Sequence, residues 1–527
     1  MKFNNKNEDL TSLFGKEKDE SFNFELISRY FRGKEKPSSC RIMSDRTCED
    51  LNFDDLFMFI DRTSSKTGQQ YLYDKLRTIP EKQDNENNER IISLMNDNVA
   101  LRNDIQKQLS RLNKYDSYYI PALFQDSHLK TPRYFNLFRL LSVAGLGSLL
   151  MMFFNSAFFM VFFSLFLVNL IIHYWNKKNL NLYLSSVPQL LTLHSVAVKL
   201  YEKETFRTLA PELQESLSAI NKLKKRMLFF RLESKLQGDL EAMFWGILEL
   251  FKIAFLLEPI LLFGVLKRLD KSRQEVGSLF KFVGHIDMLI SIASLRAGSP
   301  TFCIPGIADK NVLSAKNVYH PLISDCVPNN IILSERSVLL TGSNMSGKTS
   351  FIRTIGINVL TGLTINTCFA ESMTIPDACI LSAIRISDDL LNDKSYYFEE
   401  VQTIKKMIDN GSTKQRHLFL LDEIFKGTNT LERIAAGKAV LSFLANNENM
   451  VFVSTHDIEL ADMLSEEFDL YHFSEVVSDG NIDFDYKLKP GKLKNRNAIR
   501  ILEMNGYPEK IINEALKISQ ETILNSQ

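Results

Sequence analysis

The decapeptide Thr341-Gly-Ser-Asn-Met-Ser-Gly-Lys-Thr-Ser350 fits the pattern G-x-x-x-x-G-K-[ST] from Gly342 to Thr349, and its flanks are those the pattern requires. Ser337-Val-Leu-Leu340 reads as a buried strand, and Phe351 to Leu360 carries apolar residues at helical spacing. The two glycines therefore fall in a strand-to-helix turn. In such a turn Gly342 and Gly347 let the backbone N–H groups of Ser343, Asn344, Met345 and Ser346 close around phosphate oxygens, and the helix N-terminus adds its partial positive charge. Lys348 is placed to reach the β- and γ-phosphates and Thr349 to ligate Mg²⁺, with Ser350 completing the loop.

A second stretch, Leu418-Phe-Leu-Leu-Asp-Glu423, is an apolar strand that delivers two carboxylates to its C-terminal end. It reads as a Walker B strand. Asp422 is placed to hold Mg²⁺ directly or through water, and Glu423 to orient or deprotonate the attacking water, the two tasks that phosphoryl transfer needs. A third strand, Met450-Val-Phe-Val-Ser-Thr-His456, brings a histidine to the same edge of the expected sheet, within reach of a γ-phosphate. These residues imply ATP with Mg²⁺, with Lys348, Glu423 and His456 as the catalytic set.

On these residues the chain resembles the MutS family of mismatch-repair ATPases, a branch of the ABC-type P-loop proteins. Gly342-Ser-Asn-Met-Ser-Gly-Lys-Thr349 is similar to the family's G-P-N-M-G-G-K-S, Asp422-Glu-Ile-Phe-Lys-Gly-Thr-Asn-Thr430 to its D-E-I-G-R-G-T-S-T, and Ser454-Thr-His456 to its A-T-H. Ser387-Asp-Asp-Leu390, Ser395 and Glu400 resemble its S-D-D-L…S-x-x-x-x-E segment. The resemblance implies a homodimer in which Ser395 reaches the partner subunit's nucleotide, and double-stranded DNA as a partner. Departures are Ser343 for proline, Ser346 for glycine and Asn429 for serine. Beyond Tyr319-His-Pro-Leu-Ile323, where the family carries an aromatic that stacks on adenine, this chain reads Asp325-Cys-Val-Pro-Asn329.

Composition sets the frame around these motifs. The 527 residues, 45% hydrophobic and 24% charged, suffice for several domains with ample core. Lys+Arg and Asp+Glu are both 63, so no global basic excess advertises nucleic acid, and a DNA contact would rest on a local patch. The six cysteines form no C-x-x-C pair and no metal spacing, which suits a reducing compartment. Residues 1–45 read as a polar, solvated arm ending in a short helix at Phe22 to Phe31, without a cleavable leader. From Leu51, helical spacing at Phe53, Leu56, Phe57 and Ile60 leads into Asp61-Arg-Thr-Ser-Ser-Lys-Thr-Gly68, similar to the D-x-T-x-T-x-x-G stretch that opens the family's helical core. Leu101, Ile105, Leu109 and Leu112 continue a core stripe. The family's mismatch-reading and connector domains are not expected in the residues before this core, and Phe398-Glu-Glu400 matches the Phe-x-Glu wedge only by coincidence, inside the ATPase region.

Leu140 to Ile172 contains 33 residues without Asp, Glu, Lys or Arg. A spanning helix needs about 20 mostly apolar residues, so the run suits two, with a turn at Asn155-Ser156; the competing reading is a buried helix pair. Arg133 and Arg139 precede the run, Lys177 and Lys178 follow it, and the turn has no cation, the positive-inside pattern of a hairpin with both flanks in the cytoplasm. Lys222, Lys224, Lys225 and Arg226 load a later helix; they read as a solvated face more readily than as a phosphate contact. Met243 to Leu266 is also apolar but contains Glu249, Lys252 and Glu258, each of which would cost about 2.5–3.5 kcal/mol at a bilayer centre, so it reads as a buried soluble helix pair. A helix through His285, Met288 and Ile292 leads towards the nucleotide domain. Gly506-Tyr-Pro-Glu-Lys-Ile-Ile-Asn-Glu-Ala-Leu516 resembles the family's C-terminal dimer-contact helix.

The expected fold is an α/β P-loop (ABC-type) ATPase domain preceded by an all-α MutS-like core and lever with an inserted transmembrane hairpin. The segments run 1–45 (arm), 46–135 (core, first part), 136–176 (hairpin), 177–298 (core and lever, second part), 299–490 (ATPase) and 491–527 (dimerisation). Two functions stay open: a MutS-like ATPase with ATP-dependent DNA binding related to mismatch repair, or a membrane-anchored ABC-type ATPase with a non-repair role and no DNA ligand.

Overall fold

Runs of valine, leucine and phenylalanine make the middle of the strands Ser337–Thr341, His417–Asp422 and Met450–Thr455. A computed structural model of the protein describes residues 10–36, 41–80, 85–126, 135–233, 239–343, 345–385, 396–413, 415–446, 448–478, 481–493, 502 and 506–525. The chain divides into two units: 1–37, 60–75 and 84–298 form the first, and 38–59, 76–83 and 299–527 the second.

The first unit is helical. Its principal helices are α1 (Phe135–Met151), α2 (Phe158–Tyr201), α3 (Leu213–Glu233), α4 (Asp239–Ala254), α5 (Leu257–Leu269) and α6 (Arg273–Gly298). Buried Asp287 on α6 organises the segment 61–68: its carboxylate accepts the Ser64 and Ser65 N–H groups, each at 2.8 Å. A Cβ at Gly68 would lie 2.1 Å from Asp287 Oδ2, so glycine is required there for close approach. Asp61 accepts from Lys18 and Gln69. The expected solvated arm is thus tied down in part: Leu26, Ile27, Tyr30 and Phe31 are buried, and the Gly15 N–H donates to Ser294 Oγ. An amphipathic island packs when its apolar face finds a core, and the polar residues around it hid that from composition.

The uncharged run forms a helical hairpin, α1 and α2 being joined through 152–157, which includes the expected Asn155-Ser156 turn. Helix α2, 44 residues long, does not stop at the end of the run but continues to Tyr201. Among the described residues two helices are long and apolar enough to cross a membrane. The window in Phe158–Lys177 is 11% buried and that in Arg273–Gly298 is 83% buried, which marks the latter as a core helix. Helices α4 and α5 make the second apolar pair, their charges turned inward: Lys252 Nζ lies 2.6 Å from Glu249 Oε2 and 3.2 Å from Glu258 Oε2. Leu250 and Phe251 on the same helix are exposed, so the pair is not buried on every side.

The second unit is α/β. Its main sheet comprises β1 (Ser337–Thr341), β2 (Cys379–Ala383), β3 (His417–Asp422), β4 (Met450–Thr455), β5 (Phe468–His472) and β6 (Lys489–Pro490) in the order β6-β5-β1-β4-β3-β2, parallel except for β6. Helices α7 (Lys348–Ile365), α8 (Tyr396–Gly411) and α9 (Thr430–Leu444) belong to it, and a separate four-stranded sheet is built from 306–308, 312–318, 329–334 and 372–376. The strands β1, β3 and β4 are buried along nearly their whole length, as parallel strands covered on both faces must be. Residues 46–59 and 76–83, expected with the helical core, and 38–45, expected with the arm, group with this unit. Buried Asp50 shows why: its carboxylate accepts Ser382 Oγ at 2.6 Å, the Ile384 N–H at 3.0 Å and the Arg385 N–H at 2.7 Å, at the end of β2. The C-terminal helix α10 (Glu509–Asn525) forms where the dimer-contact helix was expected.

Candidate nucleotide site

Register fixes which residues share the sheet edge. Leu340 pairs with Ser454 and Thr341 with Thr455, while Asp422 also pairs with Ser454, so Gly342, Glu423 and His456 all leave the sheet at its C-terminal end. That is where open parallel sheets bind ligands.

Two glycines shape the loop between β1 and α7. Gly342 has φ +148° and a Cβ there would meet the Phe473 carbonyl oxygen at 2.8 Å; Gly347 has φ +104°, with Tyr486 Cδ1 3.2 Å from where a Cβ would be. Asn344 lies outside the described residues. Met345 is 83% exposed, Ser346 Oγ donates to the Ser343 carbonyl at 2.8 Å, and the buried Ser343 hydroxyl has no hydrogen-bond partner among the described residues. Lys348 is buried and its ammonium donates to the Gly342 and Ser343 carbonyls, both at 2.7 Å. Burial pushes its pKa down to about 8, against the opposing pull of Glu423 and Asp422.

The acidic side is equally organised. Thr349 Oγ1 donates to Asp422 Oδ2 at 2.8 Å, and the other Asp422 oxygen accepts from Ser454. Glu423 sits just past β3 at φ +54°; its N–H donates to the Ser454 carbonyl at 3.0 Å. One carboxylate oxygen lies 2.6 Å from His456 Nε2 and the other 3.0 Å from Lys426 Nζ. Burial raises the Glu423 pKa, but the His456 and Lys426 hydrogen bonds outweigh it and hold the group at about 2. Phe425 occupies φ +59° at the position where the resembled motif has glycine. Its N–H donates to buried Glu400, whose pKa burial raises.

Beside these groups lies a cavity of about 550 Å³ whose lining includes Lys348, Thr349, Ser350 and Glu423 from the motifs, and Ile323, Asp325, Val327, Phe473 and Tyr486 from elsewhere. The residues fit a magnesium nucleotide. A hydroxyl and a carboxylate in mutual contact offer hard oxygen ligands, and a loop at a helix N-terminus with an orphaned buried hydroxyl and a lysine offers donors to phosphate. Of the residues assigned from sequence, the loop, Asp422, Glu423 and His456 come together; Ser395 lies outside the described residues.

Tyr486 and Phe473 were missed. The 325–329 segment lines the cavity without an aromatic, and Tyr486 lines it as well. Its position is held by a zipper to the 327–329 segment: Asn329 Nδ2 donates to the Tyr486 carbonyl at 3.0 Å, and the Leu488 N–H donates to Asn329 Oδ1 at 2.8 Å. No local pattern around Tyr486 signals this, because the pairing is made across more than 150 residues of chain.

Residues 338–522 match the family model "MutS domain V". The match covers β1, the phosphate loop, β3, β4 and α10. Curated relatives include the DNA mismatch repair protein MutS of Aquifex pyrophilus, 31% identical over 268 residues, which is 49% of this chain and 30% of that protein. MutS of Fusobacterium nucleatum subsp. nucleatum is 27% identical over 258 residues, 46% of this chain and 28% of that one. The DNA mismatch repair protein MSH3 of Kluyveromyces lactis is 29% identical over 283 residues, covering 50% and 27%. The chain spans less than a third of the length of these relatives. Residues 338–522 of the α/β unit are thus similar in sequence to MutS domain V.

Proposed function

We propose that this protein binds and hydrolyses Mg²⁺·ATP and couples that cycle to binding of double-stranded DNA in a role related to mismatch repair. It acts as a homodimer, held at a membrane by the 140–172 hairpin with the ATPase unit in the cytoplasm. The observation that carries the reading is the meeting of Lys348, Thr349 and Glu423 on one cavity, with Asp422 in contact with Thr349 and His456 in contact with Glu423. Lys348 lies at the loop, where its ammonium can turn from the Gly342 and Ser343 carbonyls to phosphate oxygens. Mg²⁺, held by Thr349 and Asp422, supplies neutralisation of developing phosphate charge. Glu423 is ionised at neutral pH and can accept a hydrogen bond from an attacking water, and His456 fixes the orientation of its carboxylate. A carboxylate this acidic orients water better than it deprotonates it.

Duplex DNA enters the proposal from the relatives' names and the aligned half of the chain. The dimer rests on the resemblance around Ser387–Glu400 and at the C-terminal helix. Support for the membrane is the uncharged run, the exposure of α2 over it and the cations outside it; at 17 and 20 residues, the apolar arms lie at the short end of spanning lengths, which is about 17–25.

Lys348→Ala is expected to abolish nucleotide binding, and Glu423→Gln to retain bound ATP without phosphate release; unchanged turnover in both sinks the ATPase reading. Duplex affinity should fall steeply as salt rises. Absence of binding at about 50 mM salt leaves the second reading, a membrane-anchored ATPase without a DNA ligand, which the equal charge totals favour.

A further inference from the structure

Beyond the hairpin itself, the tip of the α4–α5 pair is an unexplained feature. The connection is only Phe255 and Leu256, with Leu256 buried and in the left-handed region at φ +46°. Its last α4 carbonyl, that of Ala254, accepts from Asn169 Nδ2 at 2.7 Å, and a Cβ at Gly145 would lie 3.4 Å from the same oxygen. Asn169 and Gly145 belong to the two arms of the uncharged hairpin. At a rise of about 1.5 Å per residue, they lie about 5–8 Å inside the ends of the run at Ile172 and Leu140.

We infer that the α4–α5 tip is a second membrane element, a re-entrant wedge that seats Leu250 and Phe251 among the acyl chains of the cytoplasmic leaflet beside the hairpin. The inference rests on the membrane reading above and adds a lipid-facing site to it. Lipid is the chosen occupant because the tip is continuous with the hairpin's own apolar surface. Polar chemistry is sorted accordingly. The tip's backbone carbonyl is satisfied by Asn169, as irregular backbone at membrane depth must be. Glu249, Lys252 and Glu258 face inward, where Lys252 bridges both carboxylates and Lys177 Nζ lies 3.0 Å from Glu249 Oε1. His173, buried and just past the run, completes the group 3.5 Å from the same oxygen. Paired charges turned inward are the arrangement that lipid-embedded helices tolerate. Meanwhile Leu250 and Phe251, 55% and 52% exposed, point out of the unit. The exposed Lys267 and Arg268 at the far end of α5 stand where headgroup phosphates would meet them. The inward pairing also removes the objection that charge bars this segment from lipid.

The full chain, with its two tryptophans Trp175 and Trp245 replaced by phenylalanine, is reconstituted in phosphatidylcholine–phosphatidylglycerol vesicles. A single reporter is then introduced as Phe251→Trp, or as Leu250→Trp should the first fail to fold, with Phe159→Trp on α2 as reference. Quenching of the Phe251→Trp reporter by about twofold or more, stronger with lipids brominated near the headgroup end of the acyl chain than near its terminus, is expected for an interfacial wedge. A quenched Phe159→Trp with an unquenched Phe251→Trp overturns the wedge and leaves the hairpin standing. No quenching of either defeats the membrane reading itself. An unquenched, blue-shifted Phe251→Trp emission that grows with protein concentration assigns the patch to a second copy and likewise overturns the proposal.

Discussion

Tyr486 is the residue at which nucleotide selectivity can be read most directly. It lines a cavity that the adjoining 325–329 segment lines without an aromatic residue, so a base entering there has an aromatic surface at Tyr486. Stacking of this kind contributes about 0.5–1.5 kcal/mol. Tyr486→Ala should therefore weaken ATP binding by about 2–10-fold, while Tyr486→Phe keeps it close to the parent value. A fluorescent-nucleotide titration reads both, and equal affinity in the alanine variant removes Tyr486 from the site. Phe425 and Glu423 add a different lesson. Both hold positive φ immediately after β3, a conformation that costs of order 1–3 kcal/mol at each non-glycine residue. The surrounding contacts, from Ser454, His456 and Glu400, are what hold them there.

At the scale of elements, α6 and the 61–68 segment depend on a buried carboxyl. Burial raises the Asp287 pKa to about 6, even though the Ser64 N–H and the Ser65 hydroxyl pull it down. A raised acid favours the protonated form in the folded state. Its contribution to stability is complete below the unfolded value of about 4 and is lost as pH rises through about 6. The difference in unfolding free energy between the parent protein and Asp287→Asn should shrink by on the order of 1–3 kcal/mol between pH 4 and 7; a difference flat with pH contradicts it. Only the slope is diagnostic, since asparagine also changes the hydrogen bonds. The same elements show how far sequence reaches. The phosphate loop, the acidic strand and the histidine strand were legible because each is a short local pattern whose chemistry dictates its residue types. The turn at 155–156 was legible because it is the polar break in an apolar run. Asp50 and Tyr486 were not, since each meets strands or loops more than 150 residues away and carries no local periodicity. The pairing of Lys252 with Glu249 and Glu258 was not legible either, because a count of charges along an apolar run does not show which of them meet.

For the whole molecule, the decisive question is what the uncharged hairpin does. Large side chains stand exposed along both arms and at the turn, among them Leu140, Val143, Phe153, Phe154, Met160 and Ile171. A contiguous apolar surface of this size on a water-soluble monomer would drive association. Two arms return the chain to the side it left, so a hairpin keeps the residues before and after it, which together build the first unit, in one compartment with ATP. A single crossing would divide that unit across a bilayer. Replacement of 136–176 by a short polar linker should therefore move the protein from a carbonate-resistant membrane pellet to the soluble fraction. The ATPase rate should be retained, because the nucleotide site draws none of its residues from the hairpin. Parent protein that is soluble and monodisperse without detergent would instead make the hairpin a contact between copies, and the cytoplasmic-face anchoring would fall with it. If the linker variant pellets as firmly as the parent, the hairpin is not the sole anchor. The α4–α5 tip, which retains Leu250 and Phe251 in that variant, is then the first place to look.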